Sequence, residues 1–131
     1  MCWSNAIAIP LVLKKPLKVY KIGTLTALGN FVSLYQETLY NKNKIMPTVE
    51  IHPEFTRRDI FMRLEESWRG STFYIYEGYH SYLTEETAKY RNNRYFDIGI
   101  FEIPVGATIY VDFRYKEVVS TNIKYLGLLE E

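Results

Sequence analysis

The side chains able to do chemistry are few: the 131 residues hold one cysteine, two histidines and fifteen carboxylates. Cys2 follows the initiator methionine. Removing that methionine would place an amine beside a thiol, a pairing that can serve as base and nucleophile. The plainer reading of Cys2 is a small buried apolar residue. His80 lies in Glu77-Gly78-Tyr79-His80-Ser81-Tyr82, between an expected strand and an expected helix. A histidine there suits a general base or a phosphate ligand. With no partner at fixed spacing, it equally suits a backbone hydrogen bond that fixes the strand-to-helix turn. The other histidine, His52, does not combine with His80 and Cys2 into a zinc-binding spacing, so no metal is expected. Glu102 and Glu117 sit near strand ends. They could do acid–base work only if the fold brought them together; solvated strand ends are the simpler expectation. Neither glycine-rich phosphate-loop pattern occurs.

These residues are positioned by short elements. Leu17-Lys18-Val19-Tyr20-Lys21-Ile22 alternates apolar and basic residues with strand periodicity, and Gly23 is expected to close it. Before it, the apolar run from Ala6 to Leu13, punctuated by Pro10, reads as a buried or half-buried strand. Gly29-Asn30 marks a turn, and Phe31 to Tyr40 holds one or two strands. Asn41 to Lys44 is a polar loop, and Thr48 to Ile51 reads as a strand ended by His52-Pro53. Thr56 predicts a capped helix from Arg57 to Arg69, with Ile60, Phe61, Leu64 and Trp68 on one face. Phe73 to Glu77 reads as a strand. Thr84 predicts a second, short helix from Glu85 to Arg91, with Glu85 and Glu86 at its positive end.

The clearest pattern comes late. Phe96, Ile98 and Ile100 alternate with small or polar residues, as do Ile109, Val111 and Phe113. Pro104 and Gly106 lie between, which predicts a hairpin with one buried face. A last strand is expected from Asn122 to Leu126. The fold class expected is therefore α+β, mainly antiparallel β-hairpins with one or two short helices, in a single domain over residues 1–131.

Composition narrows the function classes. Hydrophobic residues are 47% and charged residues 24%, the balance of a globular chain. A net charge of +1 gives no strong field for nucleic acid, and small groups such as Lys14, Lys15, Lys18 and Lys21, or Arg91 and Arg94, read as solvated faces. A single cysteine permits no internal disulfide, in keeping with a reducing compartment, so cytoplasm is the expected location. The early apolar run is too short to span a bilayer and has no cationic stretch before it, so no membrane partner is expected. The twelve tyrosines and seven phenylalanines favour strands and, where half-exposed, contact surfaces.

Three pieces of the chain, in order, resemble small uncharacterised proteins of gut-bacterial genomes and their phages. They are Met1-Cys2, the stretch Glu77 to Tyr82 followed by Thr84 to Tyr90, and Ile103 to Tyr110 leading to Ser120 to Leu126. That resemblance implies a phage or mobile-element origin, hence a host cytoplasm, and names no activity. A more remote likeness is to mono-ADP-ribosyltransferases. It rests on Pro104-Val105-Gly106, then Glu117-Val118-Val119, then Ile123 to Leu126, with Gly78 to Thr84 and Ala88-Lys89-Tyr90 before them. It implies a split β-sandwich, NAD as cofactor and Glu117 as the residue orienting the ribose. The early strand departs from that pattern: Lys21 stands where the family places Arg or His, and Ser71-Thr72 matches its Ser-Thr element weakly.

The reading that follows is a non-enzymatic, phage-type binding protein without a cofactor. It would occupy a host or phage protein, or sequester a nucleotide-like small molecule, through Tyr79, His80 and Tyr82. The alternatives are an ADP-ribosyltransferase-like enzyme using NAD, with Glu117, His80 and Lys21 at its site, and a structural virion component.

Overall fold

The computed structural model describes residues 2–3, 10–51, 73–75, 77–92, 95–113 and 115–129. The helix expected over 57–69, His52, and Ser71-Thr72 lie outside the described residues. Eleven strands and one helix are described. The first five strands are β1 (Cys2–Trp3), β2 (Leu11–Val12), β3 (Leu17–Leu25), β4 (Phe31–Ser33) and β5 (Leu39–Tyr40). Next come β6 (Phe73–Tyr74), β7 (Tyr79–Tyr82) and helix α1 (Glu85–Asn92). Last are β8 (Asp97–Ile103), β9 (Thr108–Asp112), β10 (Glu117–Ser120) and β11 (Lys124–Leu128). The pairings between these described strands are all antiparallel. The protein is thus a mainly antiparallel β structure with one short described helix.

Strands β1 and β6 pair with each other, and the rest form a sheet ordered β11-β8-β3-β7-β10-β9-β2, with β4 and β5 added beside β3. This sheet curls. Val19 of β3, Phe101 of β8 and Tyr125 of β11 share one buried cluster with Tyr79 of β7, Val118 of β10 and Ile109 of β9, although the outer members are several strands apart. The two halves therefore face each other across a common core. Their joint is narrow: β3 and β7 meet at a single residue pair, Tyr20 with Tyr82. Beyond that pair β3 turns its edge to β4 instead, through Gly23, Thr24 and Leu25.

Several sequence expectations are corrected here. Pro104 to Ala107 does form a tight turn, closed by the Ala107 amide donating to the Pro104 carbonyl at 3.2 Å with Gly106 at φ 88°. It is not the turn of a hairpin. β8 pairs with β3 and β11, and β9 pairs with β10 and β2, so the turn carries the chain from one half of the sheet to the other. Nor is only one face of β9 buried. Ile109 and Val111 face the main core, while Tyr110 faces a second buried cluster with Ile51, Ile75 and Val119. In β8 the inward face is Gly99, Phe101 and Ile103, not the Phe96-Ile98-Ile100 set. Ile98 and Ile100 fall on the opposite face of the strand, and Phe96 precedes it and is exposed.

Gly23 does not end its strand, which runs on to Leu25. A Cβ at Gly23 would lie 2.1 Å from the Val32 carbonyl oxygen, so glycine is what lets β4 pair so closely. Residues 48–51 form no strand; instead the Val49 amide donates to the Thr121 carbonyl at 2.9 Å. Leu11 and Val12 do make a strand, but on the sheet edge with both side chains exposed. The last strand begins at Lys124 rather than Asn122 and is bulged at Gly127.

Helix α1 is capped as its sequence predicts: the Thr84 hydroxyl accepts from the Thr87 amide at 3.2 Å. Ala88 and Asn92 are its buried residues, on the side that meets β3, β7 and β8. Among the described residues no helix is long and apolar enough to cross a membrane.

Candidate functional site

Where β3 and β7 part, the sheet opens a cavity of about 380 Å³. Four pieces of chain wall it. β3 contributes Lys21 and Ile22, the β4–β5 turn contributes Ser33 to Tyr35, β7 contributes His80 to Tyr82, and the end of α1 contributes Arg91, Asn92, Tyr95 and Phe96.

Each wall is held by its own local bonds. The Ser33 hydroxyl donates to the Tyr35 carbonyl at 2.7 Å and accepts from the Thr38 amide at 3.2 Å, which ties the turn together. The Leu34 amide donates to the Ile22 carbonyl at 3.0 Å, docking that turn on β3. Tyr35 then meets the His80 ring edge-on, with centroids 4.6 Å apart. At the far wall the Asn92 side chain clasps Phe96 twice, donating to its carbonyl at 2.6 Å and accepting from its amide at 3.0 Å. That clasp sets Tyr95 and Phe96 at the rim.

Lys21 is the unusual member. It is 3% exposed and its ammonium lies 5.3 Å from the Tyr40 ring centroid and 5.8 Å from that of Phe101. Its Nζ donates to the His80 carbonyl. Past the Tyr20–Tyr82 pair β3 and β7 are no longer paired, so the Lys21 side chain bridges the gap that the backbone ladder leaves. No carboxylate among the described residues compensates its charge, and burial alone lowers its pKa to about 7. Arg91, exposed at the rim, lies 6.0 Å from the Tyr115 ring centroid. The Tyr82 phenol is raised, first by burial and then by the Glu117 charge, with Arg91 acting the other way.

The sequence-derived candidates separate. Lys21, His80 and Tyr82 line the cavity together. Tyr79 does not: it points into the core, and its hydroxyl donates to the Pro47 carbonyl at 2.6 Å. Glu117 sits on β10 opposite Tyr82, one strand from the cavity. Glu102 and Glu117 are not neighbours, since Glu102 pairs with Lys124 at 3.3 Å on the β8–β11 ladder. The Cys2 backbone pairs with Tyr74 in β1–β6. Among the described residues no group of three or more His, Cys, Asp or Glu is placed to hold a metal ion. Lys21 also leaves the solvated basic group assigned from sequence: Lys14, Lys15 and Lys18 are exposed and Lys21 is not.

Ser33, Tyr35, Asn92, Tyr95 and Phe96 were not candidates from sequence. Their roles depend on the β4–β5 turn folding back on β3 and on the helix ending beside it. The one local signal was Asn92 at the end of a capped helix.

A second cavity, of about 480 Å³, lies beside β9 and is lined by residues such as Val49, Glu50, Tyr110 and Thr121. Its described lining includes an acid and no base, whereas that of the first includes Lys21 and Arg91 and no acid. No protein-family model matches the chain, and no curated protein or solved structure is significantly similar to it.

Proposed function

We propose that the cavity between β3 and β7 binds a nucleotide-like ligand, a planar ring carrying an anionic group, and retains it without chemical conversion. The observation that carries this reading is the lining itself. The Arg91 guanidinium and the buried Lys21 amine stand among Tyr35, Tyr82, Tyr95 and Phe96, with no acid among the described lining residues. Aromatic faces accept any base by stacking, each worth about 1–3 kcal/mol. The Arg91 guanidinium favours an anion and can grip an oxyanion with two hydrogen bonds. A volume of about 380 Å³ is within the range of small-molecule sites. A sequestering protein of phage type, acting in a host cell, would need no more than such a site.

The test is calorimetric titration with AMP, ADP and ADP-ribose. Binding of at least one of them is expected, weakened about tenfold in Tyr35→Ala if the lost stacking is near 1.4 kcal/mol. No binding by the unaltered chain, or equal affinity in Tyr35→Ala, would remove the reading.

One observation favours a second reading, an ADP-ribosyltransferase-like enzyme on a split β-sandwich. Lys21, His80 and Tyr82 share the cavity, and the Glu117 charge is felt at the Tyr82 phenol from the next strand. In that reading Glu117 reaches the ribose when NAD is bound. Release of nicotinamide from NAD, lost in Glu117→Gln, would favour it over simple retention. NAD bound but left intact would favour retention.

A further inference from the structure

We propose that Lys21 forms a reversible imine with a small aldehyde that enters the β3–β7 cavity. The inference rests on the reading above only in that the cavity must admit ligands; it assigns a covalent step that simple retention does not need.

Three features point to this chemistry. An amine must be uncharged to attack a carbonyl, and Lys21 sits where a charge is disfavoured: 3% exposed, flanked by the Tyr40 and Phe101 rings, with no carboxylate among the described residues to hold its proton. With a pKa of about 7, roughly half of such amines are free at neutral pH, against about one in three thousand for an exposed lysine. Second, Lys21 is one of the residues that line the cavity, with His80 and Ser81 beside it. Third, a hydroxyl is at hand. In the register set by Tyr20 and Tyr82, Lys21 and Ser81 fall on the same face of adjoining strands. Ser81 also lines the cavity, and its buried Oγ has no hydrogen-bond partner among the described residues.

The step balances without an oxidant or reductant. The Nζ lone pair attacks the aldehyde carbon, and a proton moves from nitrogen to the new alkoxide, giving a carbinolamine. Loss of the aldehyde oxygen as water then leaves the C=N bond. The Ser81 hydroxyl is placed to carry the proton between the two atoms. The protonated imine keeps one N–H, and the His80 carbonyl that now accepts from Nζ suits that N–H. The aldehyde class favoured is one with an aromatic ring or an anionic group, since Tyr35, Tyr95 and Arg91 line the same space.

Pyridoxal 5′-phosphate, which joins an aldehyde to an aromatic ring and a phosphate, is the probe. The full chain is incubated with it at neutral pH, reduced with borohydride and mapped by peptide mass spectrometry. One secondary-amine adduct per chain is expected on Lys21, labelled about tenfold or more above exposed Lys14, Lys15 and Lys18. Lys21→Arg should reduce labelling to that background. Label spread over the exposed lysines with Lys21 unmodified overturns the proposal, and because this is read on the unaltered chain a misfolded variant cannot obscure it. Titration of the same preparation with AMP, ADP and ADP-ribose separates the two readings. Nucleotide bound with Lys21 unlabelled overturns the imine alone, and neither bound nor labelled overturns both.

Discussion

The free energy of unfolding should rise as pH is raised from about 7 towards 10 and fall beyond it, and Lys21→Met should flatten the rise. Lys21 has a folded pKa of about 7 against an ordinary 10.5, because burial disfavours its charge. Between those values the unfolded chain holds a proton that the folded chain has released. Stability increases with pH wherever the unfolded state binds more protons. The contribution is on the order of a few kcal/mol, present in full above 10.5 and lost below 7. The phenols act in the opposite sense. Burial raises Tyr40, Tyr20 and Tyr82 above the ordinary 10.0, so their contribution holds below that value and disappears as pH climbs through their folded pKa values. Urea unfolding across this range checks both limbs. Equal slopes for the unaltered chain and Lys21→Met between pH 7 and 10 would show that Lys21 is not a buried amine.

Phe101→Ala should cost about 3–5 kcal/mol, a large share of the stability of an ordinary domain. Phe101 is fully buried at the middle of β8. Its ring meets those of Phe31, Tyr40 and Tyr125 at centroid separations of 5.4, 4.9 and 5.1 Å. Four rings from four strands cannot collapse into the space that one of them leaves, so the cavity term is kept. The truncation also strips one of the two rings beside Lys21. Phe113→Ala is the control: Phe113 is exposed, and its loss should change stability by less than about 0.5 kcal/mol. A similar small effect for Phe101→Ala would mean that these four rings do not form a tightly packed cluster.

Much of the fold follows from local pattern, and the departures have local causes. The alternation at Leu17 to Ile22 marks β3, and the same period of two places Lys21 on the face of Leu17 and Val19, inside the protein. That periodicity separates Lys21 from the exposed Lys14, Lys15 and Lys18. Thr84 and its acidic neighbours identify α1 because capping is a short-range interaction. The late turn is ambiguous for the opposite reason. A tight turn between two alternating runs looks the same whether the strands pair or part, and only the competing partners β3, β11, β10 and β2 decide it. The buried tyrosine on the supposed outer face of β9 likewise answers to Ile51 and Ile75, far away in the chain. His80 and Tyr82 were singled out for their place after a turn and before a helix, and they do reach the cavity. Tyr35 and Tyr95 sit in turns held by local bonds of Ser33 and Asn92, and they come to the cavity only through the packing of β4 and the helix end against β3.

The most direct test of a ligand site at the parting of β3 and β7 is amide chemical-shift mapping during titration with ADP-ribose. The largest saturable shifts should fall on Lys21, Ser33, Tyr35, His80 and Asn92, which come from four separate stretches of chain that line this cavity. No shift at millimolar nucleotide, or shifts confined to the second cavity around Val49, Tyr110 and Thr121, would contradict it.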